Sequence, residues 1–410
     1  MNAQRGGPGL RLASRVARIR PSATLAVTTE IARLRAAGTD VIDFGAGEPD
    51  FATPERIRRA AVAALEAGAT KYTPVMGTAE MREAIAAKLE RVNGLRYEPA
   101  ETLATCGGKH ALFEAFQALF EPGDEVLLPA PFWVSYRDML VLAGARPVLL
   151  GTTADSGFKL SAADLEAAIG PETRGLVLNS PSNPTGAAYR EEELEALADV
   201  LLAHRDVFVI SDDVYEMLYY EGPRPRHLLV LRPELRDRTL IVNSVSKTYA
   251  MTGWRLGYAA GPAPLIRAMG TIQGQCTSNP PAVSQAAAVE ALTGSQEEIE
   301  AMVAEFRWRR DYLLDRFARL SGVRCVKPAG AFYAFPEVSE LLEARWRGER
   351  LATASRLCEF FLAEARVAVV AGDDFGAPTH LRFSYATSRR DLERGFDAIE
   401  AAVGRLRLGG

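Results

Sequence analysis

A lysine near the middle of the chain has neighbours that suit covalent chemistry on an aldehyde bearing a phosphate. Lys247 follows an apolar run at residues 239–243. Ser244 and Ser246 lie three and one residues before it, and Arg255 comes eight residues after it. A lysine amine forms a Schiff base with a carbonyl carbon, while hydroxyls and a guanidinium can hold a phosphate dianion. The segment therefore predicts a site for a phosphorylated aldehyde cofactor.

The elements that must position this lysine are short apolar runs separated by amphipathic stretches. The runs show no alternation of polar and apolar residues, which is typical of strands buried on both faces of a parallel sheet. The predicted strands are residues 125–129, 145–150, 175–179, 206–210 and 239–243, with helices at 109–120 and 191–204 between them. The pattern predicts a doubly wound α/β domain.

Polar segments follow several of these predicted strands. They are residues 179–186, 211–215 and 244–247, and Gly107–Gly108 precedes a predicted helix whose first amides could bind an anion. Taken singly, each segment has a plainer explanation, since Asn-Pro-Thr-Gly is a common turn and an Asp after a strand is often a cap. Ligands of open α/β sheets bind at the carboxyl ends of the strands, so their shared order favours a single site.

The pattern of predicted helices and strands changes after about residue 290. A charged helix is predicted at residues 297–320 and a second helix at 352–365, with strands within 323–335, 367–370 and 380–384. This part predicts a smaller α+β domain. We therefore expect a leader at residues 1–20, a segment at 21–50 that packs with the small domain, a large domain at 51–290 and a small C-terminal domain at 291–410.

Composition narrows the class of protein. A chain of 410 residues is long enough for two domains, and its formal net charge of -4 gives no electrostatic reason to expect nucleic acid or anionic membrane as a partner. The four cysteines (Cys106, Cys276, Cys325 and Cys358) form no CxxC pair, so we expect neither a disulfide framework nor a metal site, and a cytoplasmic location.

The sequence shows neither a membrane span nor a secretory signal. No apolar run reaches the ~18 residues that a membrane span needs. Residues 1–20 lack the apolar core of a secretory signal, although composition leaves an organellar transit peptide open.

Several motifs together carry a resemblance to a known family over nearly the whole chain. The sequence resembles the class I aminotransferases of fold type I, which depend on pyridoxal 5'-phosphate, and is most similar to the aspartate and aspartate/prephenate subgroup. The motifs are Pro21-Ser22-Ala23-Thr24, Gly45-Ala46-Gly47-Glu48-Pro49-Asp50-Phe51, Lys71-Tyr72-Thr73-Pro74, the turn at Asn183, Ser211-Asp212, the Lys247 segment and Arg382-Phe383-Ser384-Tyr385-Ala386. The resemblance implies a large doubly wound, mostly parallel-sheet domain and a smaller α+β domain.

The resemblance also implies roles for residues around the cofactor. Lys247 would bond to the cofactor aldehyde and then serve as base and acid for proton transfer. Asp212 would pair with the pyridine nitrogen, and Tyr215 would hydrogen-bond the phenolic oxygen, which completes the implied catalytic set. The remaining implied cofactor contacts are Asn183 at the phenolic oxygen, Trp133 on the ring face, Gly108, Lys109, Ser244 and Arg255 at the phosphate, and Tyr72 from a second subunit of a homodimer.

The implied substrate contacts belong to two groups. Arg382 would hold the α-carboxylate, with Gly47 allowing close backbone approach and Trp133 and Asn183 nearby. Lys109, with Ser22 or Thr24, would meet a distal carboxylate, and Arg20 lies at the basic position associated with prephenate. The implied reaction transfers an amino group from L-aspartate or L-glutamate to a 2-oxo acid such as 2-oxoglutarate or oxaloacetate. Prephenate would be a second acceptor and would give arogenate.

Other functions stay open at this point. Alanine, aromatic, methionine and kynurenine transaminases and a cyclising lyase share the same cofactor residues, so the donor is not fixed. A transcription regulator with a winged helix needs more than the roughly 50 residues before the cofactor domain, and an inactive paralogue would lack Lys247 or its partners. One departure from the family pattern is Asp213, where glutamate is usual. The four histidines match no catalytic role.

Overall fold

The computed structural model describes residues 10–21 and 23–406, with the backbone alone described at 23–26. The α-helices of this part of the chain are α1 (Ala23–Ala36), α2 (Glu55–Glu66), α3 (Ala79–Asn93), α4 (Gly108–Leu119), α5 (Ser135–Ala143), α6 (Ala162–Ala168), α7 (Glu191–Ala203), α8 (Leu228–Leu231), α9 (Val245–Thr248), α10 (Ala263–Cys276), α11 (Ala282–Thr293), α12 (Glu297–Phe317), α13 (Ser339–Leu342), α14 (Ala354–Phe360) and α15 (Arg389–Val403). The strands are β1 (Ile42–Asp43), β2 (Thr102–Thr105), β3 (Glu125–Ala130), β4 (Arg146–Gly151), β5 (Thr173–Asn179), β6 (Phe208–Asp212), β7 (Thr239–Ser244), β8 (Gly257–Ala260), β9 (Tyr333–Ala334), β10 (Arg345–Trp346), β11 (Glu349–Arg350), β12 (Val367–Ala368), β13 (Val370–Ala371) and β14 (Leu381–Ser384).

The largest sheet of the described residues has seven strands in the order β2-β8-β7-β6-β5-β3-β4. The pairs from β7 through β6, β5 and β3 to β4 are parallel, and only β8 runs antiparallel to its two neighbours. The prediction of an α/β fold with a mostly parallel sheet is confirmed. All residues of β7 and nearly all of β6 are buried, which explains why their apolar residues, 240–242 and 208–210, follow one another without alternation.

Strand β8 is antiparallel and rich in small residues, and it fits closely against the start of α4. A Cβ atom placed on Gly257 would lie 2.3 Å from the backbone nitrogen of Gly108, far inside van der Waals contact. Only glycine allows this approach. The sheet therefore brings the beginning of α4 next to the end of β7, where Ser244 pairs with Gly257.

The C-terminal part of the chain forms separate small sheets with its own apolar core. Strands β13, β14 and β9 form an antiparallel sheet, and β1 pairs in parallel with β12. The ring of Phe44, just after β1, lies 5.7 Å from the ring of Phe396 on α15, so the N-terminal segment contributes to this core. The bounds proposed for the domains themselves stay a prediction.

Two elements differ from the sequence-based expectation. Within residues 323–335 only β9 is a strand, and the rest pairs through isolated bridges such as Arg324 with Glu337. The helix expected at 352–365 divides into α14 and a π-helical turn at Phe361–Ala365. No helix of the described residues is long and apolar enough to cross a membrane.

Candidate active site

The carboxyl ends of the parallel strands meet at one edge of the large sheet, and a cavity of about 330 Å³ lies there. Strand β5 ends at Asn179, β6 at Asp212 and β7 at Ser244. Because β8 runs antiparallel, its first residue, Gly257, lies at this same edge beside the end of β2. The topology thus collects residues that are up to 335 positions apart in sequence, Gly47 and Arg382, around one cavity.

Lys247 lies on α9, the short helix that begins directly after β7. The hydroxyl of Ser244 caps this helix by accepting a hydrogen bond of 3.0 Å from the amide of Ser246. The Nζ atom of Lys247 donates a hydrogen bond of 2.6 Å to the carbonyl oxygen of Gly47. Burial, with smaller contributions from nearby guanidinium groups, lowers the lysine pKa from 10.5 to about 8. The fraction of the amine that is neutral, and therefore nucleophilic, is thus larger near neutral pH than for an exposed lysine.

Asp212 projects into the cavity from the end of β6 and is almost fully buried. Its Oδ2 atom accepts a hydrogen bond from the hydroxyl of Tyr136, and its Oδ1 atom accepts one of 3.2 Å from the amide of Val214. Burial is the largest influence on its pKa and raises it to about 6 despite these hydrogen bonds. A buried carboxylate of this kind is stabilised by a cation in the cavity, such as a protonated ring nitrogen.

Asp213, where the sequence departs from the usual glutamate, does not line this cavity. Its Oδ1 atom accepts a hydrogen bond of 2.7 Å from the Ser211 hydroxyl, and its Oδ2 atom lies 3.2 Å from Nε2 of His227. It lines a different cavity of about 430 Å³ together with His227. The adjacent side chains of Asp212 and Asp213 therefore line two different cavities.

Arg382 enters the cavity from β14 and is 1% exposed. Its Nη1 atom donates a hydrogen bond of 3.1 Å to Oδ1 of Asn183, and its Nη2 atom donates one of 2.9 Å to the carbonyl oxygen of Gly45. Among the described residues, Nε of Arg382 is buried without a hydrogen-bond partner. Buried donors are normally paired, so this guanidinium is suited to a carboxylate ligand.

The start of α4 forms an anion cradle at the opposite end of the cavity. Gly107, at φ +99°, precedes the helix, and a Cβ atom placed on it would lie 2.3 Å from Nη2 of Arg255. Arg255 donates hydrogen bonds of 2.8 Å to the Thr252 carbonyl oxygen and 3.2 Å to the Cys106 carbonyl oxygen. The first amides of a helix have no intrahelical acceptor, so Gly108 and Lys109 can present theirs to a phosphate.

Two tyrosines and a tryptophan complete the lining. The hydroxyl oxygens of Tyr215 and Tyr333 lie 3.0 Å apart. The ring of Trp133 packs edge-on against Tyr136 at 5.2 Å, and the Nζ atom of Lys109 lies 4.9 Å from the centroid of the Trp133 ring. Burial, with the nearby Arg255 charge, lowers the Lys109 pKa from its usual value.

These groups fit a planar, phosphate-bearing aldehyde. The amine of Lys247, the buried carboxylate of Asp212 and the cradle before α4 line one cavity, together with Trp133 and the unpaired Nε of Arg382. Among the described residues, no group of three His, Cys, Asp or Glu side chains is arranged to hold a metal ion.

The chain matches the family described as aminotransferase class I and II over residues 39–399. It belongs to this family. It is 48% identical to the aspartate/prephenate aminotransferase of Cereibacter sphaeroides over 95% of this chain and 98% of the relative, and 47% identical to the aspartate aminotransferase of Geobacillus stearothermophilus over 97% and 98%.

Among solved structures, the aspartate aminotransferase of Rhizobium meliloti superposes with a TM-score of 0.94 at 45% identity, covering 97% of this chain and 100% of that one. The aspartate aminotransferase of Thermus thermophilus with maleate gives 0.89 at 43% identity, covering 96% and 100%. This aminotransferase therefore has the fold type I architecture that its sequence resembles.

The residues expected near the substrate side chain are only partly described. Arg20 lies 3.7 Å from a carboxylate oxygen of Asp374, and both line a cavity of about 200 Å³ that also contacts Lys109. Lys109 thus contacts both this cavity and the main one. Ser22 and the side chain of Thr24 lie outside the described residues.

Tyr72 is the one predicted cofactor contact that lies away from the cavity of its own chain. Its side chain is 90% exposed, the highest value among the large hydrophobic residues described as exposed. This position agrees with the expectation that Tyr72 reaches the phosphate of a second subunit, which stays a prediction.

Several residues that line this cavity of the aminotransferase were given no role from its sequence, among them Tyr136, Tyr333 and Asn179. Tyr136 contacts Asp212, Tyr333 contacts Tyr215, and Nδ2 of Asn179 donates a hydrogen bond of 2.9 Å to the backbone oxygen of Asp212. Asn179 could have been found, because it ends a predicted strand. Tyr136 lies in the first turn of α5, and Tyr333 lies in a segment whose strand is only two residues long, so neither gave a clear signal.

Proposed function

We propose that this aminotransferase binds pyridoxal 5'-phosphate and transfers the amino group of L-aspartate, or L-glutamate, to 2-oxoglutarate or oxaloacetate, with prephenate as a further acceptor that yields arogenate. The observation that carries the proposal is the meeting of the Lys247 amine, the buried Asp212 carboxylate and the Arg382 guanidinium around one cavity. The names of the relatives, which are aspartate and aspartate/prephenate aminotransferases, support the choice of substrate.

The residues that would hold the cofactor divide by the part they contact. Lys247 would bond to its aldehyde carbon, Asp212 would pair with its ring nitrogen, and Tyr215 would donate to its phenolic oxygen with Asn183 beside it. The phosphate contacts would be the amides of Gly108 and Lys109, the Ser244 hydroxyl, Arg255 and Tyr72 of a second copy, with Trp133 against the ring. When bound, the cofactor supplies an acceptor for the electrons of the substrate Cα–H bond.

Lys247 would have two tasks in succession, first as the residue that holds the cofactor aldehyde and then as a base. With the substrate amine in its place, its Nζ atom would be free to take the proton from the substrate Cα. The lowered pKa of about 8 suits this task, because a general base works best when its pKa lies near the working pH. The Gly47 carbonyl, 2.6 Å away, orients the amine while it holds that proton.

Arg382 would fix the substrate through its α-carboxylate. Its Nη1 and Nη2 atoms are held by Asn183 and Gly45, so the guanidinium plane is fixed before the substrate arrives. A fixed guanidinium forms two parallel hydrogen bonds with a carboxylate, which orients the Cα–H bond toward Lys247. Gly47 lies within this region and offers no side chain to obstruct it.

The distal carboxylate of an acidic substrate would meet Lys109, with Ser22 or Thr24, while Arg20 would serve a larger dicarboxylate. Lys109 is suited to this role because it borders both the main cavity and the smaller one beside Arg20. Tyr72, exposed in the single chain, supports a homodimer in which each subunit completes the phosphate site of the other. The free cysteines support a cytoplasmic location.

A panel of amino donors tests the proposed function. The protein saturated with pyridoxal 5'-phosphate is assayed with aspartate, glutamate, alanine, phenylalanine, methionine and kynurenine against 2-oxoglutarate or oxaloacetate. The assays with these donors are then repeated with prephenate as the acceptor. We expect aspartate to give the highest kcat/KM, and we expect Arg20→Ala to lower prephenate turnover while Arg15→Ala does not. Rapid turnover of alanine or aromatic donors without aspartate turnover would overturn the substrate assignment.

A further inference from the structure

Tyr333 occupies a junction between the two ends of the candidate active site. It lies on β9 opposite Ser384 of β14, two residues from Arg382, and its side chain is 1% exposed. Its hydroxyl oxygen is 3.0 Å from that of Tyr215, and both tyrosines line the main cavity. Tyr333 therefore touches a residue assigned to the cofactor while sharing a sheet with the residue assigned to the substrate carboxylate.

The position of Tyr333 is fixed by several contacts. The guanidinium carbon of Arg382 lies 4.6 Å from the centroid of its ring, and the ring of Phe332 lies 4.6 Å away. The backbone just before it is held by two backbone hydrogen bonds, of 3.0 Å from the amide of Tyr385 to the Phe332 carbonyl oxygen and of 2.8 Å from the amide of Ala331 to the Leu218 carbonyl oxygen. The hydroxyl of Tyr333 is therefore held toward Tyr215 rather than free to rotate away from it.

The hydrogen-bonding capacity of the two phenols decides which of them donates the hydrogen bond to the other. A tyrosine hydroxyl has one hydrogen to donate and lone pairs with which to accept. If Tyr215 gives its hydrogen to the phenolic oxygen of the cofactor, it can only accept from its neighbour at 3.0 Å, and that neighbour is Tyr333. An oxygen that accepts a hydrogen bond holds its own hydrogen less tightly and donates it more strongly.

We propose that Tyr333 is a positioning residue that donates to Tyr215 and thereby strengthens the hydrogen bond from Tyr215 to the phenolic oxygen of the cofactor. The inference rests on the proposed function, since it needs that oxygen as the acceptor. Its consequence is that the bound chromophore gives up its proton at a lower pH with Tyr333 than without it. The guanidinium of Arg382 is attracted to the electrons of the Tyr333 ring beneath it, and this attraction helps to hold the ring in position.

The test is a spectroscopic titration of the cofactor-loaded protein. The absorption band of the bound cofactor is followed against pH in the wild type, Tyr333→Phe, Tyr215→Phe and the double variant. We expect Tyr333→Phe to raise the midpoint by roughly 0.3 to 1 pH unit, as for loss of one neutral hydrogen bond. We expect Tyr215→Phe to raise it further, and the double variant to match Tyr215→Phe because Tyr333 acts only through Tyr215.

Tyr385→Phe is the matched control. This tyrosine is also fully buried and its substitution also removes a hydroxyl near the same segment, but that hydroxyl contacts the Ala331 carbonyl oxygen and Tyr220, and not Tyr215. The pH titration of the cofactor band in Tyr385→Phe should have the same midpoint as in the wild type. An unchanged midpoint in Tyr333→Phe, or an equal shift with and without Tyr215, would overturn the inference while leaving the proposed function intact. A wild type that never acquires a cofactor band would overturn both.

Discussion

The amine of Lys247 donates a 2.6 Å hydrogen bond to the carbonyl oxygen of Gly47, a residue 200 positions earlier in the chain. The contact uses one hydrogen of the amine and not its lone pair, so the lone pair of the neutral form stays available to a carbonyl carbon. It also joins the N-terminal segment to the helix that follows β7. Both consequences can be measured.

The first prediction concerns how fast the cofactor-free protein captures pyridoxal 5'-phosphate at different pH values. The lysine pKa is lowered from 10.5 to about 8, so the reactive neutral fraction grows as pH rises through about 8. We expect the absorption band of the bound cofactor to appear with a pseudo-first-order rate that rises with pH, with a midpoint near pH 8. Pyridoxal, which lacks the phosphate, should show the same midpoint. A rate that rises only near pH 10.5 would contradict the lowered pKa.

The second prediction concerns the identity of the reactive amine. Lys247→Ala should lower kcat by roughly 10⁴-fold or more, because it removes both the covalent attachment and the base. Borohydride reduction of the loaded wild type should leave the cofactor mass on the peptide that contains Lys247. Lys327→Ala, which loses a lysine whose side chain is 54% exposed, should keep both activity and label. A label on any other lysine would refute the assignment.

The third prediction concerns the guanidinium at the substrate end. Arg382→Lys cannot form two parallel hydrogen bonds with a carboxylate, and it leaves Asn183 and Gly45 without their donors. Truncating a buried charge pair costs about 2–5 kcal/mol, so we expect kcat/KM for aspartate to fall about 30-fold or more. The control is Arg389→Lys, since Arg389 lies on the surface against Glu305 and Trp308. Equal losses in the two variants would argue against a specific role.

The fourth prediction concerns stability and the pair formed by Asp213 and His227. Burial tends to raise the Asp213 pKa, but His227, the Ser211 hydroxyl and Lys88 more than offset it, so the net pKa lies below 3.8. A carboxyl whose pKa is lower in the folded state stabilises the fold above pH 3.8, and that contribution is lost as pH falls through the folded-state pKa. Asp213→Asn should therefore cost about 1–3 kcal/mol of unfolding free energy at pH 7.

Urea denaturation at pH 7 and at pH 3 to 4 measures this effect. The difference between wild type and Asp213→Asn should shrink at the lower pH. Asp374→Asn removes a carboxylate from an exposed ion pair with Arg20 and should change stability by no more than about 1 kcal/mol. A difference that stays constant with pH would show that the carboxylate charge is not responsible.

The strands around the site were predictable because they are buried on both faces. The predicted runs at 125–129 and 239–243 differ from β3 and β7 by a single residue at one end. Strand β8 escaped prediction because glycine and alanine have little strand propensity, and their use there is dictated by contact with Gly108 rather than by local preference. Such a requirement comes from tertiary packing and leaves no periodic signal.

Within the site, sequence reasoning found the residues that end strands or belong to recognisable motifs. Lys247, Asp212, Asn183 and Arg382 line one cavity as expected. Tyr136 and Tyr333 were missed because their function arises from proximity to another side chain across the fold, which no spacing along the chain encodes. His227 was given no role from the sequence, and its contact with Asp213 could not be foreseen.

The parallel pairing of β1 with β12 places Ile42 beside Val367. During synthesis, the segment that carries Gly47 must therefore wait for about 325 further residues before this pairing can form. At roughly 5–20 residues per second the delay is on the order of 15 to 65 seconds. Until then the Lys247 amine cannot be held by a Gly47 that is fixed in place. The capacity to capture the cofactor should thus appear late in biogenesis, after nearly the whole chain has left the ribosome.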